Sequence, residues 1–247
     1  MSANRGSVLV LGAASDIGRA IAHAYAKAGR PVILAARNAT RLDPDLKDFA
    51  VRYGVAARTV EFDVLDIAGH GAFLEKLGEL PGTVVCVVGF MGEQARSEQD
   101  PAAAELVIRS NYVGPAAIMA EAANRMVARG SGTLIGISSV AGDRGRASNY
   151  VYGSAKAGFT AYLSGLRNRL AKTGVAVITV KPGFVATRMT AGMKLPKPLL
   201  AQPAEVADAV VAAEAKRRDV IYVRPVWRLV MLIIRGLPEA IFKRSKL

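Results

Sequence analysis

A tyrosine and a lysine lie four residues apart in the segment YGSAK, and a serine lies thirteen residues before the tyrosine. Four residues make just over one helical turn, so Tyr152 and Lys156 would share one face of a helix. A neighbouring ammonium favours the phenolate and lowers the phenol pKa from its usual value of about 10. Such a phenol can donate a proton to a ketone oxygen or accept one from an alcohol, and the hydroxyl of Ser139 could hold that oxygen. Because Tyr-x-x-x-Lys also arises by chance, the interpretation depends on the surrounding elements.

Short apolar segments alternate with longer segments whose apolar residues have helical spacing. The seven predicted strands are SVLVLG, PVILAA, ARTVEF, TVVCVVG, GTLIGIS, GVAVITV and DVIYV. The predicted helices cover residues 16–28, 40–53, 66–78, 100–128, 149–172 and 203–216. Most of the strands are apolar throughout, as expected where helices cover both faces of a sheet. The alternation predicts one α/β domain with a doubly wound, seven-stranded parallel sheet, which binds ligands at the carboxyl ends of its strands.

The composition is that of a folded protein: of 247 residues, 51% are hydrophobic and 21% are charged. The single cysteine, Cys86, excludes an internal disulfide and fits a reducing compartment. His23 and His70 are too few and too isolated to form a metal site. The first residues lack a signal-peptide pattern, and the apolar run at 229–234 is far shorter than the ~20 residues of a membrane span. We therefore expect a cytoplasmic protein without a metal.

A glycine-containing turn follows the first predicted strand, in LGAASDIGRAIA. Gly12 and Gly18 flank this turn, and the free amides of the helix that follows suit a pyrophosphate. We assign Gly12, Ser15, Asp16, Ile17 and Gly18 to a dinucleotide site. Ser15 and Asp16 are also good helix caps, so a purely structural turn is the alternative.

The residues after the second and third strands bear on which dinucleotide would bind. Arg37 stands where a fold that prefers NAD carries an acid, and an arginine suits a 2′-phosphate instead. The cofactor predicted is therefore NADP(H), with NAD(H) as the alternative if Arg37 is only a surface residue. Asp63 could accept a hydrogen bond from the adenine amino group, or it could cap a helix. Its neighbour Val64 is assigned to the same site.

The order of these motifs resembles the short-chain dehydrogenase/reductase family over essentially the whole chain. The matching residues are Gly12, Gly18, Asp63, Asn111, Ser139, Tyr152, Lys156 and the segment PGFVAT. The resemblance implies a Rossmann-type oxidoreductase in which Tyr152 is the acid/base and Ser139 orients the substrate oxygen. It also implies that Lys156 holds the nicotinamide ribose and lowers the tyrosine pKa, and that Asn111 anchors a water through which protons reach the lysine.

The same resemblance places the segment after the sixth strand at the nicotinamide. Pro182 and Gly183 would form a sharp turn, and Thr187 with the backbone of Val185 would meet the carboxamide. The family implies a homodimer or homotetramer formed through helices at 100–128 and 150–172. We expect residues 1–223 to form the dinucleotide-binding and catalytic domain, with a lid loop at about 188–202. Residues 224–247 would be a tail of that domain.

Two segments depart from the family pattern. Asp16 replaces the middle glycine of the dinucleotide turn and adds a negative charge near the pyrophosphate. The segment VVGF stands where Asn-Asn-Ala-Gly is usual after the fourth strand. This change removes the usual hydrogen bonds behind the adenosine ribose, although Gly89 still permits close approach of the cofactor.

The net charge of +13 is concentrated near the end of the chain. From residue 216 onward, nine Lys or Arg stand against two acids, so this segment carries +7. Nearer the catalytic tyrosine, Arg144 and Arg146 could bind an anionic group of a substrate, as could Arg188 in the lid. Solvated loop charges are the alternative for all three. No interleaved aromatic residues accompany the basic charge, so nucleic acid is not expected as a partner.

The tail predicts a basic amphipathic helix. Arg224, Arg228 and Arg235 fall within ~40° of one another at helical spacing, beside Trp227 and several aliphatic residues. A basic stripe with an apolar body and a tryptophan is typical of a helix that lies in an anionic membrane interface. A helix that packs on the domain or on a second subunit is the alternative.

The tail, DRGRASNYVYGSAKAG and VVGFMG together resemble the decaprenylphosphoryl-2-keto-β-D-erythro-pentose reductase subgroup. That resemblance implies reduction of a keto sugar on a polyprenyl phosphate, as the second step of an epimerisation of the arabinose-precursor type. It also implies a flavin oxidase partner and a peripheral location at the inner face of the cell membrane. A general ketone or 3-oxoacyl carrier-protein reductase is the alternative activity. A non-catalytic NADP-binding sensor or scaffold is a further alternative.

Overall fold

The computed structural model describes residues 6–245, in which nine strands form a large and a small parallel sheet. The strands are β1 (Val8–Leu11), β2 (Val32–Ala36), β3 (Ala57–Glu61), β4 (Thr83–Cys86), β5 (Gly132–Ile137), β6 (Val175–Pro182), β7 (Phe184–Val185), β8 (Leu200–Ala201) and β9 (Val220–Val223). The large sheet has the order β3-β2-β1-β4-β5-β6-β9, and β7 pairs with β8 in the small one. All seven predicted strands lie in the large sheet, which confirms the predicted fold class.

Ten α-helices accompany the strands within the described residues. They are α1 (Asp16–Lys27), α2 (Asp43–Tyr53), α3 (His70–Lys76), α4 (Gln94–Gln99), α5 (Pro101–Ile108), α6 (Gly114–Arg129), α7 (Tyr150–Leu170), α8 (Pro203–Ala215), α9 (Val226–Gly236) and α10 (Glu239–Phe242). The helix predicted over 100–128 is instead α5 and α6 joined by a π-helical segment, Arg109–Val113. A π-helical segment inserts an extra residue into a helix, a feature that periodicity does not reveal.

Helices cover both faces of the large sheet, which explains why its central strands are apolar throughout. Along β1, Val8 and Val10 pack with residues of α1, α2 and α8, whereas Leu9 and Leu11 pack with residues of α3, α6 and α7. All four side chains are fully buried. The sequence therefore specifies two cores separated by one sheet.

The order of the strands places a crevice beside β1. The chain runs outward from β1 to β2 and β3, then crosses to the other side of β1 to form β4. The loops after β1 and β4 therefore diverge at the carboxyl ends of these strands, and ligands bind at such a reversal point in doubly wound sheets.

Helix α9 packs against the domain through one face. Trp227, Met231 and Ile234 are buried in a small cluster that includes Val140 and the partly buried Phe184. The prediction that Trp227 lies in a membrane interface is therefore wrong, because its ring is only 2% exposed. Within residues 6–245, no helix has both the length and the apolar composition needed to cross a bilayer.

Candidate functional site

A cavity of about 1100 Å³ opens at the carboxyl ends of the central strands. Single small-molecule sites have volumes of roughly 300–1,000 Å³, so this cavity has room for a large ligand and a second, smaller one. Most of the predicted site residues line it: Gly12, Ser15, Asp16, Ile17, Arg37, Asp63, Val64, Gly89, Ser139, Arg146, Tyr152, Lys156, Pro182, Gly183, Val185, Thr187 and Arg188. Gly18, Asn111 and Arg144 do not line the cavity.

The turn after β1 depends on two glycines. Gly12 has φ +90°, and a Cβ there would lie 3.0 Å from the backbone nitrogen of Val88. A Cβ at Gly18 would lie 2.5 Å from the Gly12 carbonyl oxygen, so α1 begins in close contact with the turn. The Ser15 hydroxyl accepts a hydrogen bond from the Gly18 amide (3.0 Å) and donates one to the Gly12 carbonyl (2.8 Å). Ser15 is thus an N-cap, and the remaining first-turn amides of α1 suit a diphosphate.

The negative charge of Asp16 is paired within the protein. Its carboxylate accepts hydrogen bonds from the backbone amide (2.8 Å) and the Nε (3.0 Å) of Arg188. The same guanidinium donates to the Ala14 carbonyl at 2.6 Å. Asp16 therefore need not repel a diphosphate, because a cation lies beside it. The substrate role predicted for Arg188 finds no support, since its guanidinium is directed to the turn after β1.

Two arginines lie at the cofactor end of the cavity. Arg37 and Arg41 are exposed and line the cavity, and their side chains form no ion pair or hydrogen bond within residues 6–245. The carboxylate of Glu61 accepts from the backbone amides of Asn38 and Ala39 at 2.9 Å each, so this nearby acid holds the loop. Our sequence analysis missed Arg41, although it follows Arg37 by four residues in the same short segment. The pair fits a dinucleotide that carries an additional phosphate.

The Asp63 carboxylate shapes the loop after β3. One of its oxygens accepts a hydrogen bond from the Leu65 amide at 3.0 Å, which closes a local turn, whereas Asp66 caps the helical turn that follows. Asp63 is therefore not a helix cap. Val64 lies against the start of α6, where a Cβ at Gly114 would approach the Val64 carbonyl oxygen to 2.3 Å. This contact fixes the loop against α6, with Asp63 and Val64 both on the cavity wall.

Ser139, Tyr152 and Lys156 come together in the cavity, as the sequence predicts. The Lys156 ammonium is buried, donates a hydrogen bond to the Ile137 carbonyl (3.1 Å), and lies 5.8 Å from the centre of the Tyr152 ring. The Ser139 hydroxyl hydrogen-bonds the Tyr152 side chain and also accepts from the Ala141 amide at 3.1 Å. The phenol is therefore held between a hydroxyl and an ammonium.

Burial dominates the protonation of this group. It raises the pKa of the Tyr152 phenol to about 12, although the hydrogen bond with Ser139 acts in the opposite direction. The predicted lowering of the tyrosine pKa by Lys156 is therefore not seen in this structure. Burial likewise lowers the pKa of Lys156 to about 8, with a smaller opposing effect from Cys86. Burial thus favours the neutral form of both groups, the phenol of Tyr152 and the amine of Lys156.

Asn111 lies in the π-helical segment and connects two parts of the site. Its amide nitrogen donates to the Val107 carbonyl (2.8 Å), and its amide oxygen accepts from the Phe90 amide (3.2 Å). A Cβ at Gly89 would lie 3.2 Å from the Asn111 oxygen and 3.5 Å from the Lys156 ammonium. Both groups therefore lie close to Gly89, and the Asn111 oxygen would be the tighter contact for a side chain there. The water-anchoring role of Asn111 stays a prediction.

The turn after β6 packs against α9. A Cβ at Gly183 would lie 2.0 Å from the Trp227 ring, so only glycine fits there. Trp227 also contacts Phe184 edge-on, with ring centres 5.2 Å apart, and its indole N–H donates to the Leu199 carbonyl at 3.3 Å. Thr187 caps the short helical turn that begins the lid. Trp227 thus joins the turn to the end of the lid, a role that our sequence analysis missed.

Arg144 has a structural role, so the prediction that it binds substrate is wrong. Its guanidinium donates to the carbonyls of Ile234 (2.5 Å) and Leu237 (2.6 Å), which lie at the C-terminal end of α9. It also pairs with Glu239 at 2.9 Å and stacks on the Phe242 ring. The five donors of a guanidinium suit the free carbonyls at the end of a helix. Arg144 therefore fastens the tail to the loop after Ser139.

Comparisons with known proteins identify the family of the chain. A family profile described as short chain dehydrogenase matches residues 7–197. An uncharacterized oxidoreductase of Mycobacterium tuberculosis is 39% identical over 241 residues, which cover 96% of each chain. A 3-oxoacyl-[acyl-carrier-protein] reductase of Aquifex aeolicus is 29% identical over 82% of this chain and 87% of its own.

A solved structure shares the arrangement of helices and strands. A variant of actinorhodin polyketide ketoreductase, crystallised with NADPH, is 26% identical and superposes with a TM-score of 0.77 over 90% of this chain and 97% of its own. The profile match alone covers most of the chain, and the mycobacterial relative extends the similarity over nearly all of it. The chain therefore belongs to the short-chain dehydrogenase family of oxidoreductases.

Proposed function

We propose that this protein is an NADP(H)-dependent reductase of ketones in which Tyr152 supplies the proton. The observation that carries the proposal is the position of Ser139, Tyr152 and Lys156 in one cavity with the glycine turn after β1. A phenol held by a hydroxyl and an ammonium at a dinucleotide site can donate a proton to a carbonyl oxygen. A sensor without turnover would have no use for such a group.

In the proposed reaction each of these side chains acts on the ketone oxygen or on a neighbouring group. Bound NADPH supplies a hydride. The Tyr152 hydroxyl donates its proton to the ketone oxygen as negative charge develops there, and the Ser139 hydroxyl holds that oxygen by a hydrogen bond. The Lys156 ammonium favours the phenolate that remains and holds the nicotinamide ribose. Lys156 then passes a proton to the Tyr152 phenolate, and Asn111 anchors the water that returns a proton to Lys156.

The cofactor would lie along the cavity from Arg37 to Thr187. The first-turn amides of α1 hold the diphosphate, and Asp63 with Val64 contacts the adenine. Arg37 and Arg41 bind the 2′-phosphate, since both guanidinium groups face the cavity without a partner in the described chain. The NADPH found in the related ketoreductase supports this preference. NAD(H) remains the alternative cofactor.

For the substrate we propose a keto sugar on a polyprenyl phosphate, which a flavin oxidase would supply. The support is the outer face of α9: Leu229, Leu232 and Ile233 are 58%, 69% and 58% exposed. Arg228 and Arg235 are exposed on the same helix. Apolar side chains flanked by cations suit an anionic membrane surface, so the enzyme would be a cytoplasmic protein bound peripherally to the membrane. By analogy with the family, we also propose a homodimer or homotetramer.

A 3-oxoacyl carrier-protein reductase is the second candidate, because one curated relative has that activity. Basic residues on the surface would then dock an acidic carrier protein. The two candidates differ in whether the outer face of α9 contacts lipid.

The substitution Tyr152→Phe removes the proposed proton donor and little else. We expect kcat for ketone reduction to fall by roughly 10²–10⁴-fold, because general acid catalysis contributes that much. The Kd for NADPH, measured by fluorescence titration, should change by less than about twofold, since the lost hydroxyl faces the ketone. Tyr150→Phe, two residues earlier on the same helix and exposed, is the matched control and should keep full activity. Equal kcat values in the two variants would overturn the assignment of Tyr152.

The buried ammonium of Lys156 predicts a dependence of stability on pH. Its pKa is about 8 in the folded protein, against an ordinary value of 10.5, so the unfolded chain binds more protons between these pH values. The contribution of this residue to the free energy of unfolding therefore rises with pH across that window, by about 2–3 kcal/mol between pH 7 and pH 10.

The variant Lys156→Met lacks this titration. We compare the free energy of unfolding of the variant with that of the wild type. The difference should favour the variant more at pH 7 than at pH 10, and should shrink by about 2–3 kcal/mol between them. Urea unfolding at each pH measures the difference, and pH 10 lies below the pKa of Tyr152. If the difference in free energy of unfolding between the variant and the wild type does not change with pH, burial does not destabilise the charged form of Lys156.

The choice of cofactor is tested at the two cavity arginines. Arg37→Ala and Arg41→Ala should each raise the Kd for NADPH by roughly tenfold or more, because a hydrogen bond to a charged group contributes about 1.5–3 kcal/mol. The Kd for NADH should change by less than about twofold, since it has no 2′-phosphate. Arg109→Ala, at an exposed arginine outside the cavity, is the control. Equal increases in the Kd values for NADPH and NADH would mean that neither arginine binds the 2′-phosphate.

The lipid and carrier-protein candidates are separated by vesicle flotation. Leu232→Glu on the outer face of α9 should lower partitioning onto phosphatidylglycerol vesicles by roughly tenfold, because a buried leucine contributes about 1.5–3 kcal/mol. Val51→Glu changes an even more exposed apolar residue on α2 and should have no effect. If the wild type does not float, or if both variants float equally well, the membrane-bound substrate loses its support.

A further inference from the structure

Arg146 is the one arginine of the three predicted at the substrate that is still available for a ligand. It lines the cavity, and its Nε is buried without a hydrogen-bond partner in the described chain. No ion pair involves its side chain within residues 6–245. Burial lowers the pKa of Arg146, as expected for a guanidinium that has lost water.

The nearest acid in the sequence, Asp143, is engaged elsewhere. One of its carboxylate oxygens pairs with the Lys181 ammonium at 2.5 Å, and the other accepts from the Tyr222 hydroxyl at 2.8 Å. Both oxygens of this buried carboxylate therefore have partners that hold the loop after Ser139 to β6 and β9. The negative charge of Asp143 stabilises the charged form of Arg146 from a distance, without a hydrogen bond between them.

Asn149 also lines the cavity and carries a second polar group without a partner. It is the N-cap residue of α7, yet its side chain makes no capping hydrogen bond. The Val151 amide donates instead to the side-chain oxygen of Gln94 in α4, at 3.3 Å. The side-chain oxygen of Asn149 is buried without a hydrogen-bond partner among the described residues. An N-cap asparagine ordinarily bonds the first helical turn, so its side chain here is left free for a ligand.

These two groups stand out because most of the cavity wall is apolar, although Glu93, Gln94 and Ser148 also line it. Phe90, Met91, Leu106, Met189 and Met193 contribute to the wall. A buried polar group without a partner costs about 1–3 kcal/mol, and a charged one costs more. A ligand that pairs with both groups would remove that cost. Asn149 precedes Tyr152 by three residues, so such a ligand would lie beside the proposed acid.

We propose that Arg146 and Asn149 form the site that recognises the substrate, and that the substrate is an anionic hydroxyketone. The guanidinium pairs with a carboxylate or phosphate, and the asparagine oxygen accepts from a hydroxyl next to it. The apolar wall contacts the remainder of the molecule. This inference rests on the proposed ketone reduction and narrows its substrate class. A phosphate could belong to a soluble sugar phosphate or to a lipid-linked sugar.

The test uses two ketones that differ only in the anion, dihydroxyacetone phosphate and dihydroxyacetone. The wild type should prefer the phosphate in kcat/KM by roughly 10–100-fold, which corresponds to the strength of a hydrogen bond to a charged group. Arg146→Gln should bring the ratio of the two kcat/KM values close to one, and Arg146→Lys should retain part of the preference. Arg96→Gln, at an exposed arginine of α4 outside the cavity wall, should keep the wild-type ratio.

Calorimetry separates the substrate site from the reaction. The Kd of dihydroxyacetone phosphate should rise by roughly tenfold in Arg146→Gln and, through the lost hydroxyl contact, by a smaller factor in Asn149→Ala. Equal affinities in the wild type and Arg146→Gln would overturn the anion site. A clear difference in affinity without reduction of either ketone would leave the site standing and contradict the proposed function.

The source of the anion is decided by a third substrate, a keto-pentose carried on farnesyl phosphate. A kcat/KM higher than that for dihydroxyacetone phosphate, lost in Arg146→Gln, assigns the anion to a lipid-linked sugar. A lower kcat/KM assigns it to a soluble phosphate. If the ratio of either phosphate to dihydroxyacetone is the same in the wild type and Arg146→Gln, Arg146 does not read the anion.

Discussion

The burial of one ammonium group, that of Lys156, constrains the whole site. Its nitrogen bonds the carbonyl at the end of β5 and lies beside the Tyr152 ring. A Cβ at residue 89 would lie 3.5 Å from this nitrogen and 3.2 Å from the Asn111 side-chain oxygen, so the glycine leaves little spare room there. The π-helical segment places Asn111 on the other side of the same glycine. A glycine, an irregular helix and a tyrosine from different parts of the chain thus meet around one buried charge.

Several of the basic residues form ion pairs that join distant segments of the chain. Arg188 joins the lid to the turn after β1, Arg144 joins the tail to the loop after Ser139, and Arg224 pairs with Glu205 at 3.1 Å. These contacts account for cations that the sequence offers equally well to a substrate or a membrane. Within the described residues, the cavity arginines without partners are Arg37, Arg41 and Arg146. Arginines that pair with acids or carbonyls of the protein are therefore occupied, and those without such partners are available to ligands.

The tail takes part in the site through its inner face. Trp227 fills the space above Gly183 and bonds the Leu199 carbonyl, so α9 supports both the turn after β6 and the end of the lid. The outer face of α9 remains apolar and exposed. Any partner on that outer face would therefore act on an element that also holds the wall of the cavity.

The sequence by itself determined the fold class and the chemistry, because both depend on local patterns. The runs of apolar residues specify strands buried on both faces, and the spacing of Tyr152 and Lys156 specifies a shared helical face. Only the tertiary structure decided which of the similar side chains are free. Arg144 and Arg146 lie two residues apart in the same loop, yet one bonds a helix end 90 residues away and the other lines the cavity. Hydrogen-bond partners distant in sequence leave no periodic signal, so pairing and burial emerge only when the chain has folded.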